Sequence, residues 1–124
     1  MSLEAALICL ALNDIHEARG ETLLGRYAVV HTARNRAKYN PDNVCKVIFA
    51  NQQFSWTIKM PGHDSHQFEK SLHIVHMAWL SQDMTHGATH YHVRLGCPGG
   101  VRPYWAAKMK ETVRIGCHIY YRKK

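Results

Sequence analysis

The four cysteines of this 124-residue chain, Cys9, Cys45, Cys97 and Cys117, are widely spread and form no C-x-x-C pair. That removes the spacing on which zinc ribbons are built. There is no H-E-x-x-H either, despite ten histidines, so the helical zinc-protease motif is excluded. Acidic side chains are few: 9 Asp and Glu against 16 Lys and Arg, a formal charge of +7. Such a balance suits an anionic polymer or surface, and charge alone does not choose among them. No long apolar run exists; residues 5–12 (AALICLAL) are too few to cross a bilayer. They also lack the basic leader and small-residue cleavage site of a signal peptide, so they are read as a core helix in a protein made in the cytoplasm. Repeats and low-complexity tracts are absent. With 46% hydrophobic and 20% charged residues, the chain has the composition of one globular domain, residues 1–124, with a single core.

What is present begins with that helix. Leu3, Leu7, Leu10, Asp14 and Glu17 recur at i, i+4, i+7, i+11 and i+14 and share one helical face. Ser2 is its candidate cap and Gly20 its natural stop. A carboxylate at the end of an apolar stripe points into, or along the rim of, whatever the helix packs against. Partial burial and the negative helix end would both raise its pKa, as a general acid requires. Glu17 is therefore the candidate catalytic acid. The plainer alternative is a solvated surface Glu in an ion-pair cluster in which Arg19 lies between it and Glu21.

A second helix is expected over residues 23–38, buried on more than one face, and a short one over residues 44–49 after Asn40-Pro41. Residues 51–62 read as a loop. A third long helix runs from Asp64 or Ser65 to about Gln82, with Phe68, Leu72, Val75 and Trp79 as its apolar stripe. Residues 89–95 look extended, 104–110 helical, and 113–121 are β-branched and aromatic enough for a strand. The fold class is helix-dominated α+β, with a small antiparallel β element made by the two C-terminal extended segments. Cys9 reads as a small buried hydrophobe, while Cys97 and Cys117 could pair in an oxidising compartment.

Aromatic rings beside hydrogen-bonding groups suit sugars, which present apolar CH faces and dense hydroxyls. Gln53, Phe54 and Ser55 in the loop, Tyr91 and His92 in the extended segment, and Tyr104 and Trp105 after it are the candidate cleft lining. Ordinary packing is the competing reading for each ring. His90 and His92 alternate on one strand face, and His63, His66, His73 and His76 have ligand-like gaps. No acid stands as an evident third ligand, so no metal site and no cofactor are expected. The basic tail, Arg122 to Lys124, is a solvated face or a means of attraction to an anionic wall.

Taken in order, these stretches resemble the SleB-type cell-wall hydrolases, a family of spore-cortex-lytic enzymes and phage lysins. The matching residues are Glu17-Ala18-Arg19-Gly20-Glu21; Gly25 with Ala28-Val29 and Asn35-Arg36; Cys45 with Val47-Ile48-Phe49; Gln53-Phe54-Ser55-Trp56; Gly87-Ala88 and Tyr91-His92; Pro103-Tyr104-Trp105-Ala106; and Ile115-Gly116 with His118 and Tyr120-Tyr121-Arg122. The resemblance implies a compact fold akin to lysozyme-like lytic transglycosylases. It further implies cleavage of the peptidoglycan sugar backbone, with the first Glu of the EARGE motif, Glu17, as acid/base. His92 stands where the spore enzymes look more Tyr/Asn-like, and a spore role is not expected.

The expected reaction cuts the bond between N-acetylmuramic acid and N-acetylglucosamine. An ordinary glycosidase needs a second carboxylate. Glu21 is the nearby candidate, but Gly20 should turn the chain before it, which leaves Glu21 a secondary or structural acid and favours the transglycosylase route over a hydrolytic muramidase. The expected partner is the glycan strand, met by a monomer without nucleic acid or stable membrane insertion. A phage lysin would reach the wall through a holin. Rivals from other classes are a zinc amidase built on the histidines and a basic module that only binds wall or nucleic acid.

Overall fold

Leu7 and Leu10, with Ala6 and Ala11, drive α1 (Leu3–Glu17) into the main core. The computed structural model describes residues 3–18, 20–50 and 65–124. Ser2, Arg19 and residues 51–64, including Gln53, Phe54 and Ser55, lie outside the described residues. After α1 the chain turns at Gly20, whose φ of +90° is open to glycine at no steric cost. The Thr22 side chain then accepts the Gly25 amide at 3.2 Å and caps α2 (Leu23–Arg36). A 3-10 turn (Pro41–Asn43) leads into α3 (Val44–Phe49), and α4 (Ser65–Trp79) completes the helical layer. No helix among the described residues is long and apolar enough to cross a membrane.

The four helices close over Leu10, Val30, Val44, Ile48 and Val75, with Phe68 and Trp79 packed at the margin. Alanines at positions 6, 11, 33, 37 and 78 let the helices approach closely. A disulfide joins Cys9 to Cys45 and ties α1 to α3. Cys9 is thus buried, as its place in the apolar run requires, but it is a cross-link and not a free hydrophobe.

Polar braces hold the helices in register. Asp14, 1% exposed, receives Arg26 Nε at 2.9 Å and Ser71 Oγ at 2.8 Å, and Arg26 Nη2 pairs with its other oxygen. Arg34, also buried, donates to the free carbonyls of Trp79 and Ser81 at 2.6 and 2.8 Å, satisfying the end of α4. That cap explains why α4 stops at Trp79 and not at Gln82. Next to it, Asn35 donates to Ala88 O at 2.8 Å and Asp83 Oδ2 at 3.1 Å. Asp83 also takes the Thr85 and Gly87 amides, each at 2.8 Å. The turn that feeds the first strand is therefore fixed from α2. Helix α2 itself ends at Arg36, before Lys38 and Tyr39, which both adopt positive φ.

Three strands follow in the spatial order β1-β3-β2, all antiparallel: β1 (His90–Val93), β2 (Met109–Ile115) and β3 (His118–Lys123). The single strand expected over 113–121 is corrected to the end of β2, a turn and most of β3. Gly116, at φ +58°, reverses the chain there, and Cys117 is pinned to Cys97 by the second disulfide. The β-branched run hid a hairpin turn that a single glycine supplies. A 3-10 turn (Tyr104–Lys108) precedes β2.

Candidate active site

The register of β1 on β3 sorts the aromatic residues. His90 faces Tyr121 and His92 faces Ile119, while Tyr91 faces Tyr120 and Val93 faces His118. Residues directly opposite share a face. Tyr91 and Tyr120 therefore pack toward Ala28 of α2. His90, His92 and Tyr121 meet Trp105, whose ring centroid lies 5.3, 5.8 and 5.4 Å from theirs.

Strand β1 is at the sheet edge, and all four of its residues line a cleft of about 410 Å³ together with Glu17, Arg36, Trp105 and His118. The last residue of α1 is thus brought against an aromatic wall. Burial raises the Glu17 carboxyl from 4.5 to about 7. The carboxyl is therefore raised toward neutrality, and burial, one of the two causes expected from the helix face, raises it.

Glu21 is placed differently. The Gly20 turn separates it from α1, and it does not line the cleft. Its Oε1 lies 3.1 Å from His118 Nδ1, without hydrogen-bond alignment. A Cβ at Gly25 would meet Glu21 Cβ at 3.1 Å, and one at Gly116 would meet Oε1 at 3.3 Å. Two glycines therefore make the slot that holds this acid behind the sheet. Among the described lining residues, Glu17 is the single carboxylate.

His92 and His31 are committed to the fold. His92 Nδ1 lies 2.9 Å from Val93 O and must carry the proton, so Nε2 accepts from Tyr121 OH at 2.8 Å. His31 is sealed in the core, with Nε2 donating to Ala78 O and Nδ1 accepting the Met84 amide. Burial depresses the pKa of His31, His90 and His118. Among the described residues no group of three His, Cys, Asp or Glu could hold a metal ion. Tyr91 carries a buried hydroxyl with no hydrogen-bond partner among the described residues; burial first, then the Glu17 charge, keeps it un-ionised.

Of the residues singled out from sequence, Glu17, Tyr91, His92 and Trp105 converge on this cleft. Tyr104 does not. It is 82% exposed, with Lys108 Nζ 5.6 Å from its ring. Successive side chains on a 3-10 turn diverge widely, so turning Trp105 inward sends Tyr104 out. Arg36, His90, Val93 and His118 were not assigned to the lining from sequence. His90 and His118 carried a signal, since each alternates with a lining or core aromatic along its strand; Arg36 carried none beyond its place in the last turn of α2.

The fold is shared with solved structures. The catalytic domain of the germination-specific lytic transglycosylase SleB from Bacillus anthracis superposes with a TM-score of 0.70 at 24% identity, covering 98% of this chain and 96% of that one. The catalytic domain of the Bacillus cereus SleB protein gives 0.69 at 25% identity, covering 95% and 91%. No curated protein matches the chain in sequence. The family model described as Cell Wall Hydrolase matches residues 20–121, a span that starts three positions after Glu17 and takes in all of the sheet but the last two residues of β3. On that match the chain belongs to the cell wall hydrolase family.

Proposed function

We propose that the protein cleaves the glycan backbone of peptidoglycan between N-acetylmuramic acid and N-acetylglucosamine, as a lytic transglycosylase with Glu17 as acid and then base. The observation that carries this reading is the lone carboxyl, held to about 7 by burial, on the wall of an aromatic cleft. The protonated Glu17 gives its proton to the glycosidic oxygen as the bond from C1 of the muramoyl unit breaks. The N-acetylglucosamine leaves with a free hydroxyl and C1 gains oxocarbenium character. The resulting Glu17 carboxylate takes the proton of the muramoyl 6-hydroxyl as that oxygen attacks C1. The product carries a 1,6-anhydro ring, and Glu17 is protonated again.

Trp105, flanked by His90 and His92, offers flat surfaces to the apolar faces of the sugars. The hydrogen bonds of His92 to Tyr121 and Val93 hold that wall rigid. Hydrolysis by a muramidase would call for a second carboxylate to activate water, and Glu21 is withdrawn from the cleft. The relative from Bacillus anthracis, itself a lytic transglycosylase, supports the same outcome. We place the site of action at the wall, reached by a phage lysin through a holin. The pairing of all four cysteines suits an oxidising compartment outside the cytosol. Mass spectrometry of fragments released from purified sacculi tests the chemistry: anhydro-muramoyl ends are expected, and hydrated reducing ends would replace this route with hydrolysis.

A further inference from the structure

A second concavity of about 530 Å³ opens beside the acid's cleft and shares two lining residues with it, Arg36 and His90. Its remaining walls are Asn35, Lys38, Gly87, Thr89, Arg122 and Lys123. The lining holds four Lys or Arg side chains and no carboxylate. The nearby acid, Asp83, is occupied by Asn35, Thr85 and Gly87. Arg36 is the unusual member. It is half-buried on the ridge between the two concavities, and burial lowers its pKa. It makes no hydrogen bond or ion pair with any described residue, in contrast to Arg26, which Asp14 holds, and Arg34, whose Nη1 donates to two carbonyls. Its guanidinium therefore has donors to offer a ligand in either concavity. The planar fork it presents matches a carboxylate in a two-pronged contact.

We propose that Arg36, backed by Arg122 and Lys123, forms a carboxylate-binding subsite that holds an acidic group of the glycan next to the bond Glu17 cleaves. This rests on the glycosidase reading, because the substrate it names carries carboxylates beside its sugars: the lactyl group of the muramoyl unit when free, and the stem peptide when attached. Arg36 spans both concavities, so a carboxylate bound there fixes the register of the strand against Glu17. The subsite thereby selects muramoyl-containing strands over uncharged glycans.

The test uses the full chain and four insoluble substrates: peptidoglycan with stem peptides, the same material stripped of peptides to free the lactyl carboxylates, and each after its carboxylates are amidated. Binding is read by co-sedimentation at about 0.15 M salt, where diffuse attraction beyond about 8 Å is screened, and cleavage by released fragments. Wild type should bind at least about tenfold tighter to one carboxylate-bearing form than to its amidated counterpart. The form that shows the preference identifies the stem peptide or the lactyl group as the source. Arg36→Gln should bring the ratio near one, and Arg122→Gln with Lys123→Gln, both on the exposed end of β3, should reduce it partway. Lys46→Gln, an exposed charge on α3, should leave the ratio intact. Equal wild-type binding to blocked and unblocked material overturns the proposal. So does an unchanged ratio in Arg36→Gln, or an equal loss in Lys46→Gln. Carboxylate-dependent binding through Arg36 without any cleavage would support the subsite while removing the glycosidase reading. Cleavage indifferent to carboxylates would do the reverse.

Discussion

Replacing Glu17 by Gln should make the protein more stable, and only above acidic pH. The wild-type carboxyl has its proton affinity raised by burial from 4.5 to about 7. The folded state therefore holds this proton more tightly than the unfolded state does. Between those two values the native protein binds more proton than the denatured chain, and stability falls as pH rises. Ionising the group fully in the folded state corresponds to about 3 kcal/mol. The side chain keeps part of its surface open to water, which screens the charge and reduces the expected cost to about 1–2 kcal/mol. A neutral amide of the same shape avoids that cost. Urea unfolding of both proteins at pH 4 and pH 8 isolates it, since every other titrating group cancels in the difference. The two should agree within about 0.5 kcal/mol at pH 4, and Glu17→Gln should lead by about 1–2 kcal/mol at pH 8. A difference independent of pH, or a variant less stable at pH 8, would refute the claim that burial controls this carboxyl.

Three further outcomes follow from the same geometry. Because Glu17 must enter the reaction protonated, kcat/KM on soluble glycan should decline about tenfold per pH unit above about pH 7; a plateau to pH 9 would exclude it as the donor. Arg26→Ala strands the Asp14 carboxylate in the interior and should cost about 3–5 kcal/mol in unfolding free energy, whereas a loss under 1 kcal/mol would mean Asp14 is not committed to that pair. The double variant Cys97→Ser with Cys117→Ser opens a loop closed across a separation of 20 residues. It should lose about 3 kcal/mol by the chain-entropy argument, seen as a lower urea midpoint that reducing agent does not lower further.

Much of the helical layer could be read from spacing, because an amphipathic helix writes its buried face at a fixed interval. Leu7, Leu10 and Asp14 are buried together, and the same period pointed to Glu17. The place of Glu17 at the margin of the helical core was legible for that reason. The sheet was less so. Val113, Ile115 and Ile119 present one continuous β-rich pattern, and the reversal at Gly116 depends on a left-handed backbone that composition does not announce. The Cys9–Cys45 pairing was hidden because it follows from α1 lying on α3, a contact between segments far apart in sequence. The cleft itself needs β1 to pair with β3 and α2 to end at Arg36. His118 and Arg36 therefore gain their places only through tertiary contacts. Tyr104 stands outside the cleft that Trp105 lines because adjacent aromatic residues on a tight turn diverge.

The central claim is that one buried carboxyl moves the proton that breaks and reseals the sugar linkage. It is met most directly by incubating purified sacculi with equal amounts of folded wild type and Glu17→Gln and measuring released muramoyl fragments. Wild type should release fragments ending in 1,6-anhydro rings, and Glu17→Gln should release them at least about a hundredfold more slowly. Equal release by the two proteins would contradict the account.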